Sequence, residues 1–441
     1  MGEVAGVLYG LETAIEGAVA FAKGIYDPTL PLKATLMPIS SVNVPQAHHS
    51  ISIVNGRAYS FGGKTTGKDG NQEVGDNDMN VIILPSSGVE GADFKKFQAT
   101  NESPPRRYGH SAAVIDDQIY MFGGQSIDSN EPLEENGRVW VFSTKSNRWS
   151  HYDPPPESKK PTARFNHASV ASENPRPTQH RTDEGFLPQQ PPDPARVVPE
   201  PPSPDTYGSF IVQGGQGKSG SNLHDLWAFD VASRTWSELP SPPPPVSAKP
   251  SLALVENRLY TFSSGQTSYL DLHNTPYNDR AIASELGLAP LGPWSTLPPN
   301  SSAPDKAHPG SRKGGALIPV TTGQGRHYLL LVGGESLSGE PLQDIWALQL
   351  KPEVMTAASL KDATRKAVKK NTKETEWEEV KYYNPDGVMI QEGQKERGTG
   401  MRKGFAAAKG TEVDGASVVI WGGVSEEGRI RGDGLMITVD R

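Results

Sequence analysis

Apolar residues along most of this chain do not recur at helical spacing. They come in runs of about five residues, alternating or continuous, and one run in most copies ends in a pair of glycines, which is the pattern of short strands broken by tight turns. The clearest stretch is Arg107-Tyr-Gly-His-Ser-Ala-Ala-Val-Ile-Asp-Asp-Gln-Ile-Tyr-Met-Phe-Gly-Gly124, followed by Arg138-Val-Trp-Val-Phe-Ser143 and Trp149. An earlier copy runs from His49 through Tyr59-Ser-Phe-Gly-Gly63 to Met79-Asn-Val-Ile-Ile-Leu84, with Phe94 or Phe97 in place of the closing tryptophan. A third opens at Arg164-Phe-Asn-His167 and resumes at Phe210-Ile-Val-Gln-Gly-Gly215, Leu226-Trp-Ala-Phe-Asp230 and Trp236. The fourth, Leu259-Tyr-Thr-Phe-Ser-Ser-Gly265 with Tyr269-Leu-Asp-Leu272 and Trp294, keeps one glycine. A fifth has Leu329-Leu-Leu-Val-Gly-Gly334, Asp344-Ile-Trp-Ala-Leu348 and Trp377; a sixth has Val418-Val-Ile-Trp-Gly-Gly423 and Gly434-Leu-Met-Ile-Thr-Val439.

Self-similarity of this kind marks a repeat architecture, with each copy one supersecondary unit. The pattern resembles the kelch repeat, in which each copy is a four-stranded blade of a β-propeller, and the resemblance covers residues 32–441. It implies an all-β fold, a six-bladed kelch-type propeller. The glycines serve backbone conformations that side chains disfavour, and the tryptophans fill the wedges between blades. The sixth copy stops after its third strand, which leaves an edge open to aggregation. Leu32-Lys-Ala-Thr-Leu-Met-Pro38 alternates like a strand and is expected to close that blade from the N-terminal side. Deleting residues 1–40 should then lower the melting temperature by more than ~10 °C.

Three segments depart from the repeat. In residues 1–31, Val4, Leu8, Leu11, Ile15, Ala18, Val19 and Ala22 fall at helical spacing, which predicts an amphipathic helix and a linker. Residues 172–205 are a proline-rich insert in the third blade, read as a linker or as a docking motif for a proline-reading domain. Residues 355–371 predict a surface helix carrying Lys361, Arg365, Lys366, Lys369 and Lys370, inserted before the last strand of the fifth blade.

Composition narrows the chemistry. No run approaches the roughly 18 apolar residues of a membrane span. Glu3, Glu12 and Glu16 without a basic flank fit neither a signal nor a transit peptide, so a cytoplasmic or nuclear location is expected. The 441 residues include no cysteine, so thiolate metal sites and cysteine nucleophiles are excluded. A formal net charge of −8 offers no global field for nucleic acid. A monomer is expected, with no cofactor and no metal.

Aligned on their glycine pairs, the copies place Gln46, Arg107, Arg164, Lys249, Arg312 and Arg402 in one register, five of the six cationic. In the fold implied by the resemblance, these residues lie in loops gathered round one mouth of the central channel. They form a candidate anion site, because guanidinium groups present paired donors to carboxylates and phosphates; bracing of neighbouring loops is the alternative. Lys64, Gln125, Gln216, Gln266, Glu335 and Val424 follow the glycine pairs and should face the same mouth, with Tyr108 beside Arg107. Kelch adaptors of ubiquitin ligases bind acidic peptides with residues from these two loop classes, so the resemblance implies a protein segment or another anion as ligand. An adaptor of the animal ubiquitin-ligase type is not expected. His49, His110 and His167 share a register, with Leu252, Gly315 and Phe405 in the remaining copies, and their separate blades argue against one metal site.

Enzymes on related propellers give the other reading. Copper radical oxidases need a cysteine cross-linked to tyrosine, which this chain lacks. Plant specifier proteins hold iron with Glu, Asp and His at four-residue spacing, a pattern missing from Gln266–Asn274. Bacterial sialic-acid mutarotases work without a cofactor through arginine and an acid. Arg107, Arg164, Arg312, Arg402 and Glu335 would imitate that set, so a cofactor-free isomerase or lyase is the alternative to a non-enzymatic interaction module.

Overall fold

The computed structural model describes residues 29–440, apart from 68, 86–90, 127–130, 177–205, 246, 276–286, 299–307, 323–324, 352–356, 368–371, 392–393, 395–396 and 411–415. The N-terminal helix expected within residues 1–31 and most of the proline-rich insert lie outside the described residues.

Six sheets stand round an axis, antiparallel but for one parallel pair in the sixth. Blade I comprises Ser50–Val54, Arg57–Phe61, Met79–Ile83 and Asp93–Phe97; blade II comprises Ser111–Ile115, Gln118–Phe122, Val139–Ser143 and Arg148–Tyr152. Blade III comprises Ala168–Ser172, Ser209–Gln216, Asn222–Asp230 and Thr235–Leu239. In blade IV, Ser251–Val255, Arg258–Ser263 and Gln266–Asn274 are followed by two short outer pieces, Leu288–Pro290 and Ser295–Thr296. Blade V has Ala316–Thr322, Arg326–Glu335, Pro341–Gln349 and Trp377–Glu379, and blade VI has Ala406–Lys409, Ala416–Trp421 and Gly434–Asp440. The six inner strands neighbour one another in a closed ring.

Closure follows the alternation read in the sequence. Lys33–Ile39 pairs antiparallel with Gly434–Asp440 through seven residue pairs, from Lys33 opposite Asp440 to Ile39 opposite Gly434. A further short strand, Lys381–Tyr383, pairs in parallel with Lys33–Thr35 and widens blade VI to five strands. Ordered packing starts before the expected boundary at residue 32: Leu30 and Leu32 are wholly buried, and Tyr328 Oη donates to the Thr29 carbonyl at 3.0 Å.

The apolar face of each sheet is buried against its neighbour, giving among the described residues one cluster per joint. The closing tryptophans behave as expected at three joints. Trp149 lies 4.9 Å, centroid to centroid, from Phe61 of the preceding blade; Trp236 lies 5.1 Å from Phe122, and Trp377 5.7 Å from Phe262. At the VI/I joint the wedge is filled from the other side. Trp421, on the second strand of blade VI, is fully buried and donates from Nε1 to the Val44 carbonyl at 3.1 Å. Phe94, in the place of a closing tryptophan, therefore stays 40% exposed, and Phe97 packs into the I/II cluster.

The helix Ala357–Ala367 sits in blade V between its third and fourth strands. It is not simply solvated: Arg365 and Asp362 are buried, and Asp362 accepts from Arg365 Nη1 at 2.6 Å and from Arg326 Nη2 at 2.7 Å. This cluster pins the helix to the second strand of its blade.

Candidate functional site

The glycine pair explains how one blade grips the next. At Gly123 φ is +64°, and a Cβ there would stand 2.5 Å from the carbonyl oxygen of Arg164 and 2.8 Å from the ring of His167, both on the following blade. A side chain would collide with backbone as well as strain the left-handed conformation. The N–H of Gly124 donates to that same Arg164 carbonyl at 2.9 Å. Gly62 and Gly422 meet His110 and His49 in the same way, so each histidine covers the bare face of a glycine. His49 and His167 are held near pKa 3 by burial, and His110 well below its usual range, also by burial. These three are neutral packing elements.

The arginine register is real, but its side chains do not face the mouth. Arg107 and Arg164 are wholly buried, and Arg312 and Arg402 nearly so. Each is held by a carboxylate of its own blade: Glu135, Asp225 and Asp344 accept from both terminal nitrogens of Arg107, Arg164 and Arg312 at 2.7–2.8 Å. Asp433 accepts from Arg402 Nη2 at 3.0 Å. Each guanidinium also donates to the carbonyl of the first glycine of its pair, at 2.9–3.2 Å. Gln46 does the same with its amide at 2.8 Å and accepts from Ser60. The expectation of a ring of free guanidinium groups is thus corrected, since their fork geometry is filled by internal acceptors.

Two of these carboxylates carry a signal in the sequence. Asp225-Leu-Trp227 and Asp344-Ile-Trp346 share a spacing, and each aspartate accepts the indole N–H two residues on, at 2.7 and 2.6 Å. Burial alone would raise the pKa of Asp225, but the bonds from Arg164 and Trp227 hold it below the usual carboxylate range.

Lys249 does not share the register of the arginines. Blade IV has no glycine pair: Ser264 and Gly265, at φ +50° and +81°, form the two-residue turn of a hairpin in which Ser263 pairs with Gln266. Gln266 consequently stands exposed beside that turn. Counting from the inner strands, Ser247 matches the arginines, and Lys249 matches His48, Gly109, Asn166, Gly314 and Gly404. Pro250, not Leu252, lies at the position of His49. Those matched residues are the innermost of the mouth and are linked by backbone bonds. His48 N–H donates to Gly404, Gly109 to His48 and Asn166 to Gly109 at 2.7–2.8 Å, and Gly314 donates to Lys249 at 3.1 Å. Lys249 N–H instead turns to its own loop and donates to Ser247 Oγ.

What does line the mouth is a set of lysines. His48, Lys249, Lys313, Glu335 and Lys403 surround a cavity of about 170 Å³ at the top of the channel. Lys249 Nζ is 3.0 Å from Glu335 Oε1, and Lys403 Nζ is 3.9 Å from Oε2 of the same carboxylate. Lys403 also donates to the Gly339 carbonyl at 2.6 Å. Lys64 lies over the Tyr108 ring at 4.4 Å, and its pKa is lowered by burial and by Lys249. Burial, then Lys249, Lys64, His49 and Lys403, brings His48 down to about 3. Lys64 and Lys313 pair with no carboxylate among the described residues.

Of the expected set the structure therefore brings Lys249 and Glu335 to the cavity, with Lys64 and Tyr108 stacked on each other, and adds Lys313, Lys403 and His48. The added lysines directly follow Arg312 and Arg402, an Arg-Lys dipeptide in two blades that could have marked them. Gln125 is buried and paired across to Tyr108, Gln216 accepts from Asn166 Nδ2 at 3.0 Å, and Val424 is buried. Below the mouth the channel widens to a cavity of about 490 Å³ lined by inner-strand residues, among them Ser52, Ala113, Ser169, Ala253 and Ala407.

A family model, the KLHDC2/KLHL20/DRC7 Kelch-repeats domain, matches residues 33–176. An F-box/kelch-repeat protein of Arabidopsis thaliana is 24% identical over 319 residues, 71% of this chain and 56% of that protein. Acyl-CoA-binding domain-containing protein 5 of the same plant is 25% identical over 340 residues, 69% of this chain and 48% of that protein. This chain spans about half the length of both relatives. The solved structure of YjhT matches with a TM-score of 0.48 at 14% identity, over 91% of this chain and 99% of that one.

Proposed function

Because the chain is a kelch-repeat β-propeller, we propose that it is an interaction module whose lysine-lined mouth takes an acidic segment of a partner protein. The observation that carries this reading is the charge left at the mouth: Lys249, Lys313 and Lys403 line the cavity against one carboxylate among the described residues, Glu335, with Lys64 over Tyr108 near enough to bear on Lys249 and His48, while every nearby histidine is neutral. The cavity of about 170 Å³ at the mouth itself holds the tip of a side chain or a small anion. The rest of such a ligand would lie on the rim, where Leu337 is 66% exposed on the blade V loop whose Gly339 carbonyl binds Lys403. The four arginines that a mutarotase-like enzyme would use are occupied by internal carboxylates. Replacing Lys249 and Lys403 by methionine should weaken a poly-glutamate peptide about tenfold or more with an unchanged melting temperature. Unaltered affinity in that folded double variant would overturn the reading.

A further inference from the structure

Glu335 occupies the middle of the lysine cluster. Its carboxylate lies between two ammonium groups from the blades on either side, Lys249 of blade IV at 3.0 Å and Lys403 of blade VI at 3.9 Å. Its backbone is fixed by reciprocal hydrogen bonds with Lys313, both 2.9 Å, so the carboxylate is held at this spot by the fold. An anion entering the mouth must compete with it for the same two ammonium groups. A single carboxylate that does so exchanges one carboxylate for another and gains little. A group with two negative charges keeps a surplus, which Lys313, lining the same cavity, is placed to take up.

We propose that Glu335 is a built-in competitor that makes the mouth selective for a doubly charged group on a peptide, either a phosphoryl group or two adjacent carboxylates. This rests on the mouth being the anion site argued above. Lysine suits such a group, since compact ammonium charges impose none of the planar pairing that arginine brings to a carboxylate. At neutral pH a phosphorylated serine carries about −1.5 to −2 charges and three acceptor oxygens.

The test uses three glycine-flanked peptides, bearing one phosphoserine, two adjacent glutamates or one glutamate, titrated against the full chain and against Glu335→Gln and Glu335→Asp. In the unaltered protein a doubly charged peptide should bind about tenfold tighter than the single glutamate, and whichever of the two is tighter identifies the source of the charge. Glu335→Gln should bring the single-glutamate peptide to within about threefold of it by strengthening the weaker binder. Glu335→Asp, with its carboxylate drawn back by one carbon, should fall between them and serves if the glutamine variant does not fold. Equal affinities in the unaltered protein, or weaker binding of all three peptides to both variants, would refute the competitor role. Should Lys249→Met with Lys403→Met leave every peptide unaffected, the mouth itself fails as the site, which is a separate result.

Discussion

The joint between blades II and III and the one between blades III and IV are built by the same chain from the same repeat, and they differ in what fills the wedge and what covers the glycine pair. At II/III, Phe122 and Trp236 fill the wedge, the Gly123-Gly124 pair admits the Arg164 carbonyl, and His167 seals the glycine face. At III/IV the cluster is aliphatic, with Leu226, Leu252, Leu259 and Leu270. Gln213 stands where blades I, II, IV and VI have an aromatic and bonds Thr261 at 3.1 Å, and the mouth's backbone chain is interrupted at Lys249. Where the repeat is most regular its polar residues serve the frame. Where it is worn, Ser247 stands in the place of the bracing arginine, and Lys249, two residues on, adds its charge at the mouth to those of Lys313 and Lys403 from blades that keep the repeat.

That contrast can be broken from the strong side first. Deleting residues 1–39 removes the strand that closes blade VI and should lower the melting temperature by more than ~10 °C; a truncated protein that melts normally would show that the ring does not depend on this pairing. Arg164→Ala leaves the Asp225 carboxylate in a partly buried site without its fork, a change that typically costs about 3–5 kcal/mol, readable as the urea midpoint. Lys249→Met, in the matching loop of blade IV, should cost less than ~1 kcal/mol, since its pair with Glu335 is partly exposed. If the two variants destabilise alike, the distinction between braced and released cations is wrong.

A pH series sharpens the same contrast. His48, His49 and His167 are neutral in the fold, with pKa lowered to about 3 by burial, whereas the unfolded chain takes up these protons below about 6.5. The unfolded state therefore binds more protons between those limits, so stability is complete above pH 6.5 and declines as the pH falls. The decline is at most about 1.4 kcal/mol per pH unit for each histidine. Equal urea midpoints at pH 7.5 and pH 5 would contradict the buried, neutral assignment.

The blades could be read because strand alternation, glycine pairs and tryptophans are each imposed locally and recur. Closure by Lys33–Ile39 was legible for the same reason, as a strand with no partner in its own neighbourhood. The site was legible only in part. Arg107 and its equivalents looked like ligand contacts because a register shows which residues share a place but not which way a guanidinium points, and the acids that claim them lie 28 to 61 residues further on in blades II and III. Lys249 slipped by two positions because the fourth copy was aligned on Gly265, a hairpin residue here and no part of a glycine pair.

The pairing of Lys33–Ile39 with Gly434–Asp440 sets the order in which the molecule can be completed during synthesis. One of the first strands made must wait for the last, with nearly the whole chain emerging from the ribosome between them. Until then Leu36 has no Ile437 side of the blade to pack against, and Trp421 has not yet been delivered to the gap beside Val44. The nascent ring carries an unpaired edge and an empty wedge at the same joint, the condition in which partly made chains aggregate. Slowing translation over the final blade should therefore raise the fraction lost to aggregates, and supplying the strand as a separate peptide should rescue it.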